Sequence, residues 1–171
     1  MISFKKYIGA TLIELMATIT ILGIVLAIGL PSFNSLFDSN RLSAMTNDLN
    51  GVLQYARSEA VRIGGSVEVG AIDDDIGNGV IVWVDSDGSD SYDDGEELRM
   101  LLVEYEDIVV TAEVSGAGVA DLDFSYGAQG EISLGATLTL DLCDSRTGDY
   151  GRQLQVLASG ALRLNTNMPC P

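Results

Sequence analysis

A chain of 171 residues has room for one modest folded domain plus an anchor, and its 47% apolar content supports a packed core and argues against disorder. It contains no histidine, which removes the commonest general base and the commonest zinc ligand. A formal charge of −16 sets it against a phosphate backbone and makes it self-repelling in solution.

The first predicted element is a membrane helix. Residues 15–37 carry no charge, and the densest apolar run is "LMATITILGIVLAIGL", ending at Pro31. About 20 apolar residues span the hydrocarbon of a bilayer. The only lysines, Lys5 and Lys6, precede this run, and the acidic bulk follows it. The positive-inside rule therefore puts the amino terminus in the cytoplasm and exports the rest. An ordinary signal peptide fits poorly, because Glu14 separates the lysines from the apolar run and no small-x-small cleavage site follows. A plain single-span anchor leaves Glu14 unexplained. A carboxylate within a membrane segment is costly and points to function.

The stretch "KKYIGATLIELMATITILGIVLAIGLP" resembles the class III signal of type IV prepilins and type II secretion pseudopilins. The resemblance implies that residues 1–9 are a leader, cut by a prepilin peptidase between Gly9 and Ala10. It also implies methylation of the new amine on Ala10, which stands where the family usually has phenylalanine. Thr11, Leu12, Ile13 and Glu14 match the stretch after the cut, with Glu14 as the family glutamate. Pro31 stands where pilins commonly have proline. Residues 10–31 would then be the transmembrane and filament-core helix of a bacterial inner-membrane protein with a periplasmic carboxy-terminal domain. The implied partners are other pilins or pseudopilins and the inner-membrane assembly platform. Cleavage would create an ammonium four residues from Glu14. In a filament, the amine of one subunit can approach the glutamate of a neighbour, and that pairing offsets the burial of both charges. The alternative is a Glu14 that snorkels to the membrane interface.

The second element is an amphipathic helix over residues 32–64. Leu42, Met45, Leu49, Val52, Leu53, Ala56, Ala60 and Ile63 recur every three or four residues. It continues the first helix, with a bend expected at Pro31. Gly64 and Gly65 stop it.

Residues 65–171 form the third region, an exported β domain. Short apolar, often β-branched runs fall at 67–72, 80–84, 98–103, 108–114, 122–126, 136–143, 154–157 and 162–164. With no helical run between them, the sheets should be mostly antiparallel. The expected class is α+β, a long helix whose distal half packs on a mostly antiparallel β domain.

"LNGVLQYARSEAVRIGGSVEV" resembles the helix end of the GspH/FimT family of minor pilins and pseudopilins. Leu53, Ala56, Arg57, Glu59, Ala60 and Arg62 match it in order. "GVIVWVDSDGSDSYDDGEELRM" and "GRQLQVLASGALRL" resemble later parts of the same family. The resemblance implies a structural and priming subunit of a type II secretion pseudopilus or a type IV pilus, with no reaction of its own. Some members bind DNA through a Gly-Arg-x-Arg motif. This chain reads Gly160, Ala161, Leu162, Arg163, so the first arginine is absent. A DNA-binding competence pilin is the alternative reading, with Arg146, Arg152 and Arg163 as the arginines at issue. A third reading is an anchored binding module that does not polymerise.

Two constellations remain. Asp85, Asp87, Ser89, Ser91, Asp93 and Glu96 fall at the ligand spacing of a calcium loop. Asp90 replaces the glycine such loops need, and strands are expected on both flanks, so a solvated acidic hairpin is the competing reading. Cys143 and Cys170 are the only cysteines. On the exported side a single disulfide is the simplest reading, against two free thiols. Serines are many, but no histidine and no lysine beyond the leader is present to activate one.

Overall fold

The computed structural model describes residues 11–89, 91–119 and 121–171. It divides into two compact units, one ending at Asp38 and one spanning Ser39–Pro171.

Helix α1 (Leu12–Ile63) begins in the first unit. Thr11 sets its start. The Glu14 N–H donates to Thr11 Oγ1 at 3.3 Å, and the Leu15 N–H donates to the Thr11 carbonyl at 3.2 Å. This is an N-cap, which satisfies donors that the first turn leaves free. Thr18 and Thr20 turn their hydroxyls back to the carbonyls of Leu15 and Met16, at 2.8 Å each. Their polar atoms are thereby satisfied within an apolar segment. Helical structure continues through Pro31 without interruption, and α1 is long and apolar enough to cross a membrane.

In the second unit α1 buries one stripe. Leu42, Met45, Leu49, Val52, Leu53, Ala56 and Ala60 are at most 4% exposed. Ile63, the last of the periodic set and the final helical residue, is exposed. Gly64, at φ +68°, terminates the helix, and the N–H groups of Gly64 and Gly65 both donate to the Ala60 carbonyl. Only a residue without Cβ adopts that left-handed turn cheaply.

Nine strands follow among the described residues: β1 (Val67–Ala71), β2 (Gly79–Trp83), β3 (Glu97–Leu102), β4 (Val109–Val114), β5 (Ala117–Val119), β6 (Asp123–Tyr126), β7 (Leu138–Cys143), β8 (Gly148–Val156) and β9 (Leu162–Cys170). They form a four-stranded sheet, β3-β2-β1-β6, and a five-stranded sheet, β5-β4-β7-β8-β9. Every pairing is antiparallel. The helix stripe joins Val67, Val69, Val80 and Val82 of one sheet and Val110, Leu140, Leu142 and Leu154 of the other in a single core. Each such side chain contributes about 1.5–3 kcal/mol by leaving water. The fold is thus α+β, one long helix packed on antiparallel sheets.

Three strands differ from the sequence expectation. β8 starts at Gly148 and β9 runs to Cys170, both well beyond their apolar runs, and β5 was not foreseen. Register shifts at Gly148, Gly151 and Arg152 break the alternation of β8. β9 is an edge strand, where Pro169 is tolerated because no ladder donor is needed on its outer side.

Candidate functional site

The apolar surface of the amino-terminal unit is the first candidate. Every side chain from Thr11 to Ile28 is exposed, including Leu12 at 80% and Ile28 at 71%. An apolar surface of this length, charged only at Glu14, needs lipid or protein around it. Glu14 sits in the first turn and is exposed. There its charge faces the positive end of the helix dipole. Gly9 and Ala10 lie outside the described residues. Pro31 lies inside α1. The cap by Thr11 was missed at the sequence level, although Thr-x-x-Glu ahead of an apolar run is the signature of a capping box.

The acidic turn between β2 and β3 is a hairpin loop. Asp85 Oδ1 accepts from the N–H groups of Gly88 and Ser89, at 2.7 and 3.2 Å, and Asp87 Oδ1 accepts from the Ser89 N–H at 3.0 Å. Glu96 Oε1 accepts from the Ser86 N–H and hydroxyl, both at 2.7 Å. The Ser86 hydroxyl, with the backbone N–H, holds the Glu96 carboxyl below its usual range. Of the six residues with calcium-loop spacing, the structure brings Asp85, Asp87 and Glu96 together, with a carboxylate oxygen of each within 4.8 Å of the others. Ser89 and Asp93 instead bond to each other, Ser89 Oγ donating to Asp93 Oδ2 at 3.0 Å. Asp90 lies outside the described residues.

Several arginines are committed to the fold. Arg57 donates to the carbonyls of Gly130, at 2.9 Å, and Ser159, at 3.2 Å. It thereby ties the helix end to two β-turns. Arg146 Nε donates to both Asp144 oxygens at 3.0 Å, and its NH1 donates to Ser39 Oγ at 3.0 Å. Its guanidinium also lies 4.3 Å from the Tyr150 ring centre. Arg152 donates to Ser43 Oγ at 3.0 Å. Arg163 is exposed on β9. Of the three arginines relevant to DNA, Arg146 and Arg152 thus converge on Ser39 and Ser43, one helical turn apart on α1. Gly160 of the motif stretch serves the Arg57 clamp: a Cβ there would meet the Gly130 carbonyl oxygen at 1.7 Å. Sequence alone matched Arg57 to a family signature without its partners, which are carbonyls 73 and 102 residues away.

Cys143 and Cys170 are joined by a disulfide with S–S 2.00 Å. They end β7 and β9, the two neighbours of β8. The bridge passes over Gly151, whose Cβ would lie 2.8 Å from Cys170 Sγ.

Residues 45–160 match the family model described as type II transport protein GspH. The chain belongs to the GspH family. This family comprises minor pilins and pseudopilins. Residues 5–30 separately match the prokaryotic N-terminal methylation motif. Among solved structures, the chain is similar to the type IV minor pilin FimU of Pseudomonas aeruginosa, at 25% identity and TM-score 0.63, over 80% of this chain and 96% of that one. It also shares the fold of the minor pseudopilin EpsH from the type II secretion system of Vibrio cholerae, at 16% identity and TM-score 0.54, over 74% and 97%. No curated protein sequence matches the chain. The GspH-family fold and the prepilin motif fit an inner-membrane-anchored pilin with an apolar amino-terminal helix.

Proposed function

We propose that this GspH-family chain is a structural and priming subunit of a type IV pilus or a type II secretion pseudopilus. A prepilin peptidase removes residues 1–9, Ala10 becomes the methylated amino terminus, and the β domain lies in the periplasm. The helix packs into the filament core among other pilins, and the β domain presents a partner-specific surface. The work is docking, and no reaction is assigned to the chain. The observation that carries this reading is the exposed apolar helix surface from Thr11 to Ile28, interrupted only by Glu14, in a chain whose remainder has the minor pilin fold.

In the bilayer a monomer can keep Glu14 near the headgroups. In the filament core the carboxylate needs a neighbour's amine, and breaking one partner of a buried pair costs about 3–5 kcal/mol. Glu14→Leu is therefore expected to insert, to be cleaved after Gly9 and to fold. It should join or prime the filament poorly, as read by crosslinking or co-purification with the other pilins. Normal incorporation of Glu14→Leu would refute the proposed pairing. Loss of surface pili or of secreted protein in a deletion strain assigns the filament system.

A further inference from the structure

We propose that the outer face of the four-stranded sheet receives an arginine side chain from an extended segment of a partner subunit. This gives the docking role a place and a chemistry, and rests on the filament reading only for the partner's identity.

Strand β2 is buried at all five positions. Val80 and Val82 belong to the core, whereas Ile81 and Trp83, each 6% exposed, lie outside it. Their side chains therefore lie on the opposite face of the sheet from that core. The antiparallel register aligns Asp123, Gly70, Ile81 and Met100 in one row across β6, β1, β2 and β3. Trp83 follows on the same face, and Tyr92 from the hairpin loop packs edge-on against it at 6.1 Å between centroids. Gly70 is needed here, because a Cβ would come within 2.9 Å of the Trp83 ring. These residues leave an open cavity of about 420 Å³. Met100, 41% exposed, forms part of its floor.

The rim is acidic. Asp73 and Asp74 line it from the turn after β1, and Asp121 and Asp123 line it from the start of β6. None of the four is in a salt bridge among the described residues. Arg99 of β3 lies against the Tyr55 ring on α1, at 5.6 Å, so it does not neutralise this rim. Burial holds the Asp123 carboxyl above its usual range, and the Asp121 charge adds to the effect. Trp83 Nε1–H is buried with no acceptor among the described residues, which is uncommon for an indole donor.

An arginine in a peptide answers the acidic rim, the aromatic ring and the apolar floor. Its fork binds carboxylates, its flat face stacks on aromatic rings, and its stem covers apolar surface. A metal ion would answer the carboxylates alone. A second copy of this chain fits poorly, since both copies would carry the same large negative charge.

Trp83 is the only tryptophan, so its emission reports on this face. The full chain in detergent micelles would be titrated with Ac-Gly-Arg-Gly-amide at low salt, beside the citrulline peptide, a neutral isostere. A saturable change in emission is expected with the arginine peptide. Affinity should fall about tenfold for the citrulline peptide and for Asp121→Asn/Asp123→Asn, given the strength of charge-assisted bonds. Asp73→Asn/Asp74→Asn provides a second rim variant, and the melting temperature verifies the folding of both. Equal affinity for the two peptides, no saturable response, or undiminished affinity in both folded variants would overturn the proposal. Glu14→Leu should keep full peptide affinity, which separates this test from that of the filament.

Discussion

Gly160 meets two demands, a left-handed backbone at φ +72° and the close approach of the Gly130 carbonyl. Gly88 has a similar φ of +79° with nothing near its missing Cβ. The pair therefore separates backbone strain from collision. Gly88→Ala should cost about 1 kcal/mol, and Gly160→Ala about 3 kcal/mol, because the Arg57 clamp must also shift. Urea unfolding of the two variants gives the difference. A second residue-scale prediction concerns Asp144. The Arg146 guanidinium holds its carboxyl below the usual carboxylate range, although partial burial opposes this. Its native pKa is thus depressed relative to the unfolded chain. The pair's stabilisation is present above about pH 4, the unfolded value, and is lost as pH falls through the native pKa. Arg146→Leu should lose about 2 kcal/mol at pH 7, with the gap to wild type narrowing in acid to what the Ser39 and Tyr150 contacts contribute. A constant gap from pH 7 down to pH 2 would count against the pairing.

At the scale of elements, legibility followed periodicity. The stripe from Leu42 to Ala60 was readable because a helix repeats its buried face every 3.6 residues, and Gly64-Gly65 announced its end. Strands rich in valine and leucine were readable for the same kind of reason. The first half of β8, "GDYGRQ", and the end of β9, "NTNMPC", were not, since they carry no apolar alternation and owe their extended form to pairing with neighbours. The acidic rim of the groove was legible as charge, but the cavity it borders was not. Its one sequence clue was the unbroken run "GVIVW", which implies a strand covered on both faces. Strand β9 also gives the next prediction. It is an edge strand tied by Cys170 to β7. Reduction and alkylation should lower stability by about 3–4 kcal/mol, the entropy model's value for a loop of this size. The loss should appear first as faster hydrogen exchange in β9 amides, with α1 between Leu42 and Ala60 still protected.

For the whole molecule, the two units have different duties. The helix up to Asp38 presents apolar surface to its surroundings, while Ser39–Pro171 holds its own core. Substitutions in the first should then change assembly without changing the melting of the second, which is why Glu14→Leu is an informative variant. The class and family could be read from sequence because the prepilin stretch and the helix end are contiguous motifs. Contacts assembled from distant loops, such as Arg57 with Ser159, could not. The disulfide has a mechanical consequence for a subunit of a filament under load. An unfastened edge strand would peel first, one hydrogen bond at a time. Because Cys170 ends β9 and is fastened to β7, in the middle of its sheet, a pull applied beyond β9 is delivered there. Rupture must then break several strands in concert, and the last strand cannot be unzipped alone.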